Sequence, residues 1–456
     1  MKLISPTDSM FLLGESREHP MHVAGLQLYR PPDGAGPEFV TDLYESIAKC
    51  DDFQPTFRKH PARAFGGITN VAWAFDDDVD VDYHLRRSGL PRPGRVRELL
   101  ELTSRLHGTL LDRHRPLWEA YLVEGLDDGR FGVYTKIHHS LLDGVSAQRL
   151  MIRTLSDDPD DREVRVPWAL RPRTRTRAPA PRGSSLLRTA TGAAGAVAGL
   201  APSALAIARA ALVEQQLTLP FGAPRTMFNV PIGGARRCAA QSWPLARIKA
   251  VKDAVDGTTV NDVVLAMSSG ALRAYLDERQ ALPETPLVAM VPVSLRGEHE
   301  QDAGGNMVGT ILCNLATDIA DPLQRLETIS ASMRDNKKVF SELPRMEALA
   351  LSGFLMSGIA LGLLPGFAAS APPPFNIVIS NVPGARTPMY WRGARLDGNY
   401  PLSIALDGQA LNITLTNNAD NLDFGLVGCR RSVPHLQRLL THLEDSLAAM
   451  EKATAA

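Results

Sequence analysis

The sequence predicts an α/β protein of the α+β type, with two halves joined by a crossover. Two observations support this prediction. Helical and strand-like hydrophobic patterns alternate in residues 1–160 and again in residues 223–456, and the composition changes sharply in the segment 161–222 between them. A chain of 456 residues can form two or three domains with sizeable cores. We therefore expect an N-terminal half, a crossover and a C-terminal half, with an active cleft between the halves.

Composition excludes several classes of protein. The chain is 44% hydrophobic and 22% charged with a net charge of -1, so no excess charge indicates nucleic-acid binding. The cysteines are far apart and form no CxxC pair, which favours reduced thiols over a disulfide framework or a zinc site. The first eight residues contain no apolar core of signal-peptide length. We expect a cytoplasmic protein, with peripheral association at the inner face of a membrane or at lipid droplets as an alternative.

The first half has a recognisable order of elements. A leucine stripe at helical spacing predicts a helix over Arg95–Arg113, and Pro116 separates it from an alternating strand over Trp118–Val123. A second strand over Phe131–His139 follows, and the residues after Gly144 show helical periodicity. The segment His138–Gly144, which has the sequence HHSLLDG, therefore marks the boundary between a strand and a helix.

Two adjacent histidines on this strand point in opposite directions. Thr135, Ile137 and His139 have one strand parity, whereas Lys136 and His138 have the other. One imidazole is thus available for chemistry while its neighbour serves packing. Asp143 lies four positions after His139, at the same boundary between strand and helix.

The crossover combines a basic part and a weakly apolar part. Acidic residues at Asp157–Asp161 precede an Arg/Pro-rich stretch, and Thr189–Leu212 is rich in alanine and glycine with a single charge. A solvated linker followed by a packed helix fits this pattern. Docking on an anionic membrane fits it as well, since each basic residue near lipid contributes about 1 kcal/mol. A transmembrane span is disfavoured because alanine and glycine have little transfer energy and Pro202 interrupts the run.

The second half repeats the alternation of helices and strands. An uncharged stretch, Ala348–Ala385, is split by prolines, which predicts core or tunnel lining before a membrane span. The other predicted elements are a helix over Gly257–Arg279, strands over Leu287–Val293, Leu402–Leu406, Leu411–Thr416 and Leu422–Val427, and a final helix over Val433–Lys452.

With these elements placed, the chain resembles the bacterial wax ester synthase/diacylglycerol acyltransferase family, within the HHxxxDG superfamily of CoA-dependent acyltransferases. The likeness covers nearly the full length. It rests on Ser5–Asp8, Phe11, Glu15, Pro20–Val23, Pro116–Glu119, His138–Gly144, Asn261–Ala266, Pro292–Arg296 and Ser380–Gly384. The resemblance implies two chloramphenicol-acetyltransferase-like halves, each a mixed sheet flanked by helices, with the histidine at their interface.

The chemistry of acyl transfer requires a base. A hydroxyl must lose its proton as it attacks a thioester carbonyl, and histidine titrates near ambient pH. By parity and resemblance we assign this role to His139; a packed core histidine and a metal ligand are the alternatives. Asp143 orients the turn or caps the helix. Gly144 allows close approach of backbone or a positive φ, and His138 supports the site or packs in the core.

Five further residues are candidates with weaker signals. Tetrahedral collapse places negative charge on the former thioester oxygen, so hydrogen-bond donors must face it. Asn261, in the first turn of its helix, is the first candidate, with local capping as the alternative. Ser380 and Asn381, expected in a turn after a strand, are candidates for the same role. Trp118 lines a substrate channel or packs in the core, and Glu15 faces the cleft or is a surface carboxylate.

The sequence predicts an O-acyltransferase that moves a long-chain acyl group from acyl-CoA to a lipid hydroxyl. Diacylglycerol is the first choice of acceptor and a fatty alcohol the second. Two rivals remain: amide-forming condensation on carrier-bound substrates, and a catalytically weak protein that binds lipid surfaces. We expect direct transfer without an acyl-enzyme, with acyl-CoA as substrate and no metal or other cofactor. No glycine-rich phosphate loop marks a site for the CoA phosphates, and Arg296 is one of several scattered basic residues expected at the cleft mouth.

Overall fold

The computed structural model describes residues 2–62, 72–171, 221–294, 308–342 and 372–455. Its strands are β1 (Lys2–Leu3), β2 (His22–Arg30), β3 (Lys59–Pro61), β4 (Ala72–Phe75), β5 (Leu85–Gly89), β6 (Trp118–Glu124), β7 (Phe131–His138), β8 (Arg236–Pro244), β9 (Val288–Ser294), β10 (Val308–Asn314), β11 (Ile377–Ala385), β12 (Tyr390–Trp391), β13 (Ala394–Leu402), β14 (Leu411–Asn418) and β15 (Asn421–Cys429). Its α-helices are α1 (Pro6–Gly14), α2 (Phe39–Ala48), α3 (Val81–His84), α4 (Val96–His107), α5 (Gly144–Ile152), α6 (Leu245–Ala254), α7 (Val260–Asp277), α8 (Pro322–Glu342) and α9 (Arg438–Thr454).

Two six-stranded mixed sheets form the body of the protein. The first has the order β12-β13-β2-β7-β6-β5, and the second has the order β10-β9-β11-β14-β15-β8. A small sheet, β1-β4-β3, adjoins the first. Most pairs are antiparallel, but β5 runs parallel to β6, and β11 runs parallel to both β9 and β14. The α/β prediction with two halves is confirmed.

Strand β13 crosses from the second half into the first sheet. It pairs antiparallel with β2 over a register from Arg395↔Arg30 to Leu402↔Ala24, and β12 extends the same sheet beyond it. Residues 390–402 were assigned to the C-terminal half, yet they complete the N-terminal sheet. A boundary between the two halves at residue 223 therefore assigns β12 and β13 to the half whose sheet they do not join. The exchange ties the two sheets together through backbone hydrogen bonds.

Strand β7 occupies the centre of the first sheet, between β2 and β6. All eight of its residues are buried. In register, His138 lies opposite His22 and Ile137 lies opposite Trp118. A strand that is paired on both edges and covered on both faces can hold a side chain at its end with little freedom. This strand delivers the histidine pair.

The second sheet is covered by α7 and the helices beside it. Helix α7 begins with a capping box, in which Thr259 Oγ1 accepts from the Asp262 N–H and the Asp262 carboxylate accepts from the Thr259 N–H. Most of its apolar side chains are buried in the main core, with Val260 partly buried at its start. At β11, a Cβ on Gly384 would collide with the backbone oxygen of Asn417, so only glycine fits there.

Most predicted elements are confirmed within a few residues, and three differ. Helix α4 ends at His107, before Gly108. The strand expected over Leu402–Leu406 is wrong, because β13 ends at Leu402. The final helix begins at Arg438, after turns. The Arg/Pro and Ala/Gly parts of the crossover beyond residue 171, Arg296 and residues 348–371 of the uncharged stretch lie outside the described residues. The four cysteines, all within the described part, are free thiols.

Candidate active site

His139 follows directly after the last residue of β7 and lies on the wall of a cavity between the two sheets. Its backbone N–H donates to the carbonyl oxygen of Met21 at 2.8 Å. The ring of Phe11, from α1, stacks on the imidazole with the centroids 4.0 Å apart and an interplanar angle of 19°. Backbone and ring contacts thus fix both the position and the plane of the imidazole.

The electrostatic setting keeps this imidazole neutral. Burial is the main reason that the pKa of His139 lies at about 4; the nearby carboxylate of Asp143 opposes this shift, and His138 makes a smaller contribution in the same direction as burial. Among the described residues, its Nδ1 has no hydrogen-bond partner and is buried. A neutral imidazole that carries its proton on the buried Nδ1 leaves Nε2 to accept a proton, which is the form that a general base requires.

Asp143 is the N-cap of α5. Its Oδ1 accepts from the backbone N–H of Ser146 at 2.8 Å, and its Oδ2 accepts from the Ser146 hydroxyl at 3.1 Å. The residue also contributes to the cavity wall. These contacts agree with the expectation that Asp143 caps the helix. Its charge also acts on His139 through space.

Gly144 is the first residue of α5 and lines the cavity. Of the two alternatives expected for Gly144, the positive φ is wrong, because the residue is helical and its φ is negative. A Cβ added here would meet no other described atom within 4 Å. The glycine is therefore not required by the fold around it, and any side chain placed there would occupy space belonging to the cavity.

Behind the cavity, His138 and Glu15 form a buried pair. Ser140 donates to His138 Nδ1 from both its hydroxyl (2.6 Å) and its N–H (3.1 Å), so the network assigns the ring proton to Nε2. That nitrogen lies 3.4 Å from Glu15 Oε1. Glu15 is not a surface carboxylate, since its side chain is 2% exposed, and it is not among the residues that line the cavity.

Glu15 also connects the N-terminal segment to the catalytic strand. Its Oε2 accepts from Arg113 Nε at 2.9 Å, and its Oε1 accepts from the backbone N–H of Met21 at 3.2 Å. Burial alone would raise the pKa of Glu15, but hydrogen bonding and charge from His138 and then Arg113 hold it below its ordinary value. Met21 in turn accepts from His139, so one carboxylate supports the backbone on which the candidate base depends.

A buried ion pair lies on the same face of β7 as His138. Lys136 Nζ is 3.3 Å from Glu119 Oε2, and it donates to the carbonyl oxygens of Leu106 and Thr109. Burial lowers the pKa of Lys136 while Glu119 opposes the shift. Sequence reasoning placed Lys136 on this face but gave neither residue a role. Glu119 is the last residue of the motif Pro116–Glu119. It lies opposite Lys136 only because β6 pairs with β7.

The cavity has a volume of about 760 Å³ and is shared by both halves. Helices α1 and α5 and strands β2 and β7 contribute from the first half, and strands β9, β10, β11, β13 and β14 contribute from the second. Four methionines lie on its wall: Met10, Met21, Met151 and Met290. Methionine side chains are flexible and apolar, so such a wall adapts to a long aliphatic chain. The cleft predicted between the halves is present.

The second sheet supplies a polar strip to this wall. Ser380 of β11 lies directly opposite Thr414 of β14, and both line the cavity together with Asn412. Asn412 Oδ1 accepts from the Thr414 hydroxyl at 2.8 Å. The Ser380 hydroxyl is therefore the potential donor to a developing oxyanion at this position, since the Thr414 hydroxyl already donates to Asn412.

Besides His138 and Glu15, three further predicted site residues do not reach the cavity. Asn381 is exposed on the opposite face of β11 from Ser380, because both residues lie within the strand and not in a turn after it. Asn261 lies in the first turn of α7, where Thr259 and Asp262 form the cap, and it is not part of the wall. Trp118 is fully buried in the core of the first half.

The core position of Trp118 has a clear physical basis. Its indole N–H donates to the Phe57 carbonyl oxygen at 2.9 Å, and its ring stacks against His84 and Trp168. This tryptophan therefore satisfies its polar group inside the core, as buried indoles do. Phe11 and Met21, by contrast, were assigned no role although both contact His139. They are far from the histidine motif in sequence, so only the fold reveals these contacts.

Solved structures share this architecture over the whole chain. A wax ester synthase/diacylglycerol acyltransferase from Marinobacter aquaeolei is 40% identical, with a TM-score of 0.80 and 100% of both chains covered. The first condensation domain of the CDA synthetase is 17% identical with a TM-score of 0.54, covering 99% of this chain and 95% of the other, and supports the fold alone. Fold and site together define an acyltransferase of the two-halved, condensation-domain-like class.

Sequence comparison gives the family. The model of the wax ester synthase/diacylglycerol acyltransferase catalytic domain matches residues 4–264, and that of the WS/DGAT C-terminal domain matches residues 304–451. A probable diacylglycerol O-acyltransferase of Mycobacterium tuberculosis is 68% identical over 453 residues, which cover 99% of both chains. The chain belongs to the wax ester synthase/diacylglycerol acyltransferase family.

The described segments contain neither a candidate membrane span nor a cluster of potential metal ligands. None of their helices combines the length and the apolar character needed to cross a bilayer. Within the same segments, no three His, Cys, Asp or Glu side chains converge as a metal site would require.

Proposed function

We propose that the protein transfers a long-chain acyl group from acyl-CoA to the free hydroxyl of diacylglycerol, with His139 as general base. The observation that carries this proposal is the neutral imidazole on the wall of a cavity of about 760 Å³ shared by both sheets. Relatives named as probable or putative diacylglycerol O-acyltransferases support the choice of acceptor. A fatty alcohol, giving a wax ester, is the second acceptor we consider.

The reaction proceeds by direct attack. Nδ1 of His139 is buried, so Nε2 takes the proton from the acceptor hydroxyl as its oxygen bonds to the thioester carbonyl carbon. The tetrahedral intermediate collapses by breaking the C–S bond. The thiolate of CoA leaves with the proton returned from Nε2. Ester and free CoA are the products, and the imidazole is neutral again.

Negative charge on the tetrahedral intermediate needs donors on the opposite side. Ser380 is the donor we propose, because it is the predicted candidate that lies on the cavity wall. The first turn of α5, which includes Gly144 and also lines the cavity, adds the favourable end of a helix dipole. Positioned donors of this kind contribute about 10²–10³-fold each.

The cysteines give no alternative nucleophile on the cavity wall. None of the four is among the residues that line it in the described structure. Burial raises the pKa of Cys238 and Cys313 to about 12 each, which disfavours the reactive thiolate. Direct transfer therefore remains our proposal.

The experiment measures CoA release from palmitoyl-CoA together with the products, using diacylglycerol, hexadecanol and no acceptor in parallel. We expect acceptor-dependent ester formation that falls by about 10²–10⁴-fold in His139→Ala. His114→Ala, which removes an exposed imidazole, is the matched control. Equal activity of His139→Ala and wild type would remove His139 from the mechanism. Preference for hexadecanol would make the wax ester reaction the main one.

A further inference from the structure

Exposed apolar side chains concentrate in one small part of the molecule. Five large hydrophobic residues are exposed in the described structure: Leu3, Met10, Leu13, Phe75 and Leu110. The first four lie on β1, α1 and β4, and the fifth is adjacent to a residue of the small core beneath α1. Scattered exposed leucines are ordinary, whereas their concentration on one subassembly indicates an interaction surface.

The four residues Met10–Leu13 of helix α1 are all apolar, so they present apolar side chains on every side of this turn. Leu12 is buried in the core beneath the helix, and Phe11 faces the cavity and stacks on His139. The outward side presents Met10 and Leu13, one turn apart, with exposures of 47% and 71%. Asp8, in the first turn, is the only charged residue of the helix. A surface helix of a soluble protein normally turns a polar face outwards, and α1 does not.

Met10 joins this surface to the active-site cavity. The residue is half exposed and also belongs to the cavity wall. The mouth of the cavity therefore opens beside the exposed apolar side chains of α1. An acceptor that dissolves only in a lipid layer would reach His139 along this side without crossing water.

We propose that β1 and α1 form a docking surface that inserts Leu3, Met10 and Leu13 into a lipid layer and so delivers the acceptor to the cavity. This inference rests on the proposed lipid acceptor. It commits to the acyl region of a lipid surface as the partner, because the outward face of α1 is uncharged. Binding through such a surface depends on buried apolar area and changes little with salt.

The test is flotation with phosphatidylcholine vesicles that contain diacylglycerol, at low and at high salt. The variant is Leu3→Asp/Leu13→Asp, since both side chains are exposed and neither lines the cavity. We expect salt-independent binding by the wild type and binding about a hundredfold weaker by the variant. Ala448→Asp/Ala449→Asp, at exposed positions of α9, adds the same charge elsewhere and should bind as the wild type does.

Two further measurements separate the possible results. Leu13→Ser, which adds no charge, should weaken binding in the same direction and guards against misfolding of the double variant. Unchanged vesicle binding by all variants overturns the proposal. The proposal is also overturned if the substitutions change only the oligomeric state, as measured by sedimentation. That result would show that a second copy of the chain covers the surface.

Failure of the proposed function would look different. Transfer to hexanol dissolved in water should be equal in wild type and in Leu3→Asp/Leu13→Asp, while transfer to diacylglycerol in vesicles should fall with binding. If no acceptor yields an ester but the variant still binds vesicles more weakly than the wild type, the acyl-transfer proposal fails and the docking proposal is supported.

Discussion

The carboxylate of Glu15 lies 3.4 Å from Nε2 of His138, with both side chains buried behind the catalytic strand. This pair does not touch the cavity, but Glu15 also holds the N–H of Met21, whose carbonyl oxygen accepts from His139. We therefore propose that Glu15 is a positioning residue, which acts on His139 through the backbone and through the neighbouring imidazole.

Glu15→Gln should lower kcat by about tenfold with little change in KM, because the neutral amide leaves Arg113 and His138 without their anion. The free energy of unfolding should fall by about 1–3 kcal/mol. Steady-state kinetics and urea unfolding measure the two effects. Glu18→Gln removes an exposed carboxylate of the same segment and serves as the control. A change in stability without a change in kcat would leave Glu15 a purely structural residue.

The depressed pKa of His139 predicts an unusual pH profile. The base must be neutral, so kcat/KM should stay level as the pH falls through the ordinary histidine range and should decline only near the pKa of about 4. Asp143→Asn keeps the helix cap but removes the charge that opposes the shift, so its acid limb should move to lower pH. An acid limb near 6.5 in the wild type would contradict this setting for His139.

The same shift affects stability with a defined sign. A histidine whose pKa is lower in the folded than in the unfolded state binds fewer protons when folded. Stability is therefore lost as the pH falls from about 6.5 towards 4, and His107, also lowered to about 4, acts in the same direction. The midpoint of urea unfolding, measured across this pH range, shows whether a loss of activity at low pH comes from unfolding of the protein or from protonation of His139.

Local patterns were enough to predict much of this molecule. Alternation placed His139 and Lys136 on opposite faces of β7, and the structure keeps that division. The insertion of β13 beside β2 was not predictable in this way, because strand exchange depends on pairing between residues far apart in the chain. For the same reason Glu15 was taken for a cleft or surface residue. Its partners come from segments that meet only in the fold.

Gly144 offers a test in which stability and activity should move in opposite directions. Its φ is negative and a Cβ would meet open space, so Gly144→Ala should raise helix stability by up to about 1 kcal/mol. The added methyl group occupies the cavity, so transfer to diacylglycerol should fall, and Gly144→Val should fall further. Thermal unfolding and initial rates give both values. Gly36→Val, at an exposed loop position, is the control. Full activity of Gly144→Val would show that substrate does not approach this glycine.

Adjacent residues of β11 test the proposed oxyanion donor. Ser380 lines the cavity, whereas Asn381 is exposed on the other face of the strand. Ser380→Ala should lower kcat by about 10²–10³-fold and leave KM for acyl-CoA nearly unchanged, because the hydroxyl would bind only the charge of the tetrahedral intermediate. Asn381→Ala should stay within about twofold of wild type, as exposed substitutions usually do. Equal kcat values for the two variants would assign the oxyanion to other donors, such as the first turn of α5, which also lines the cavity. A rise in KM alone would make Ser380 a substrate-binding residue.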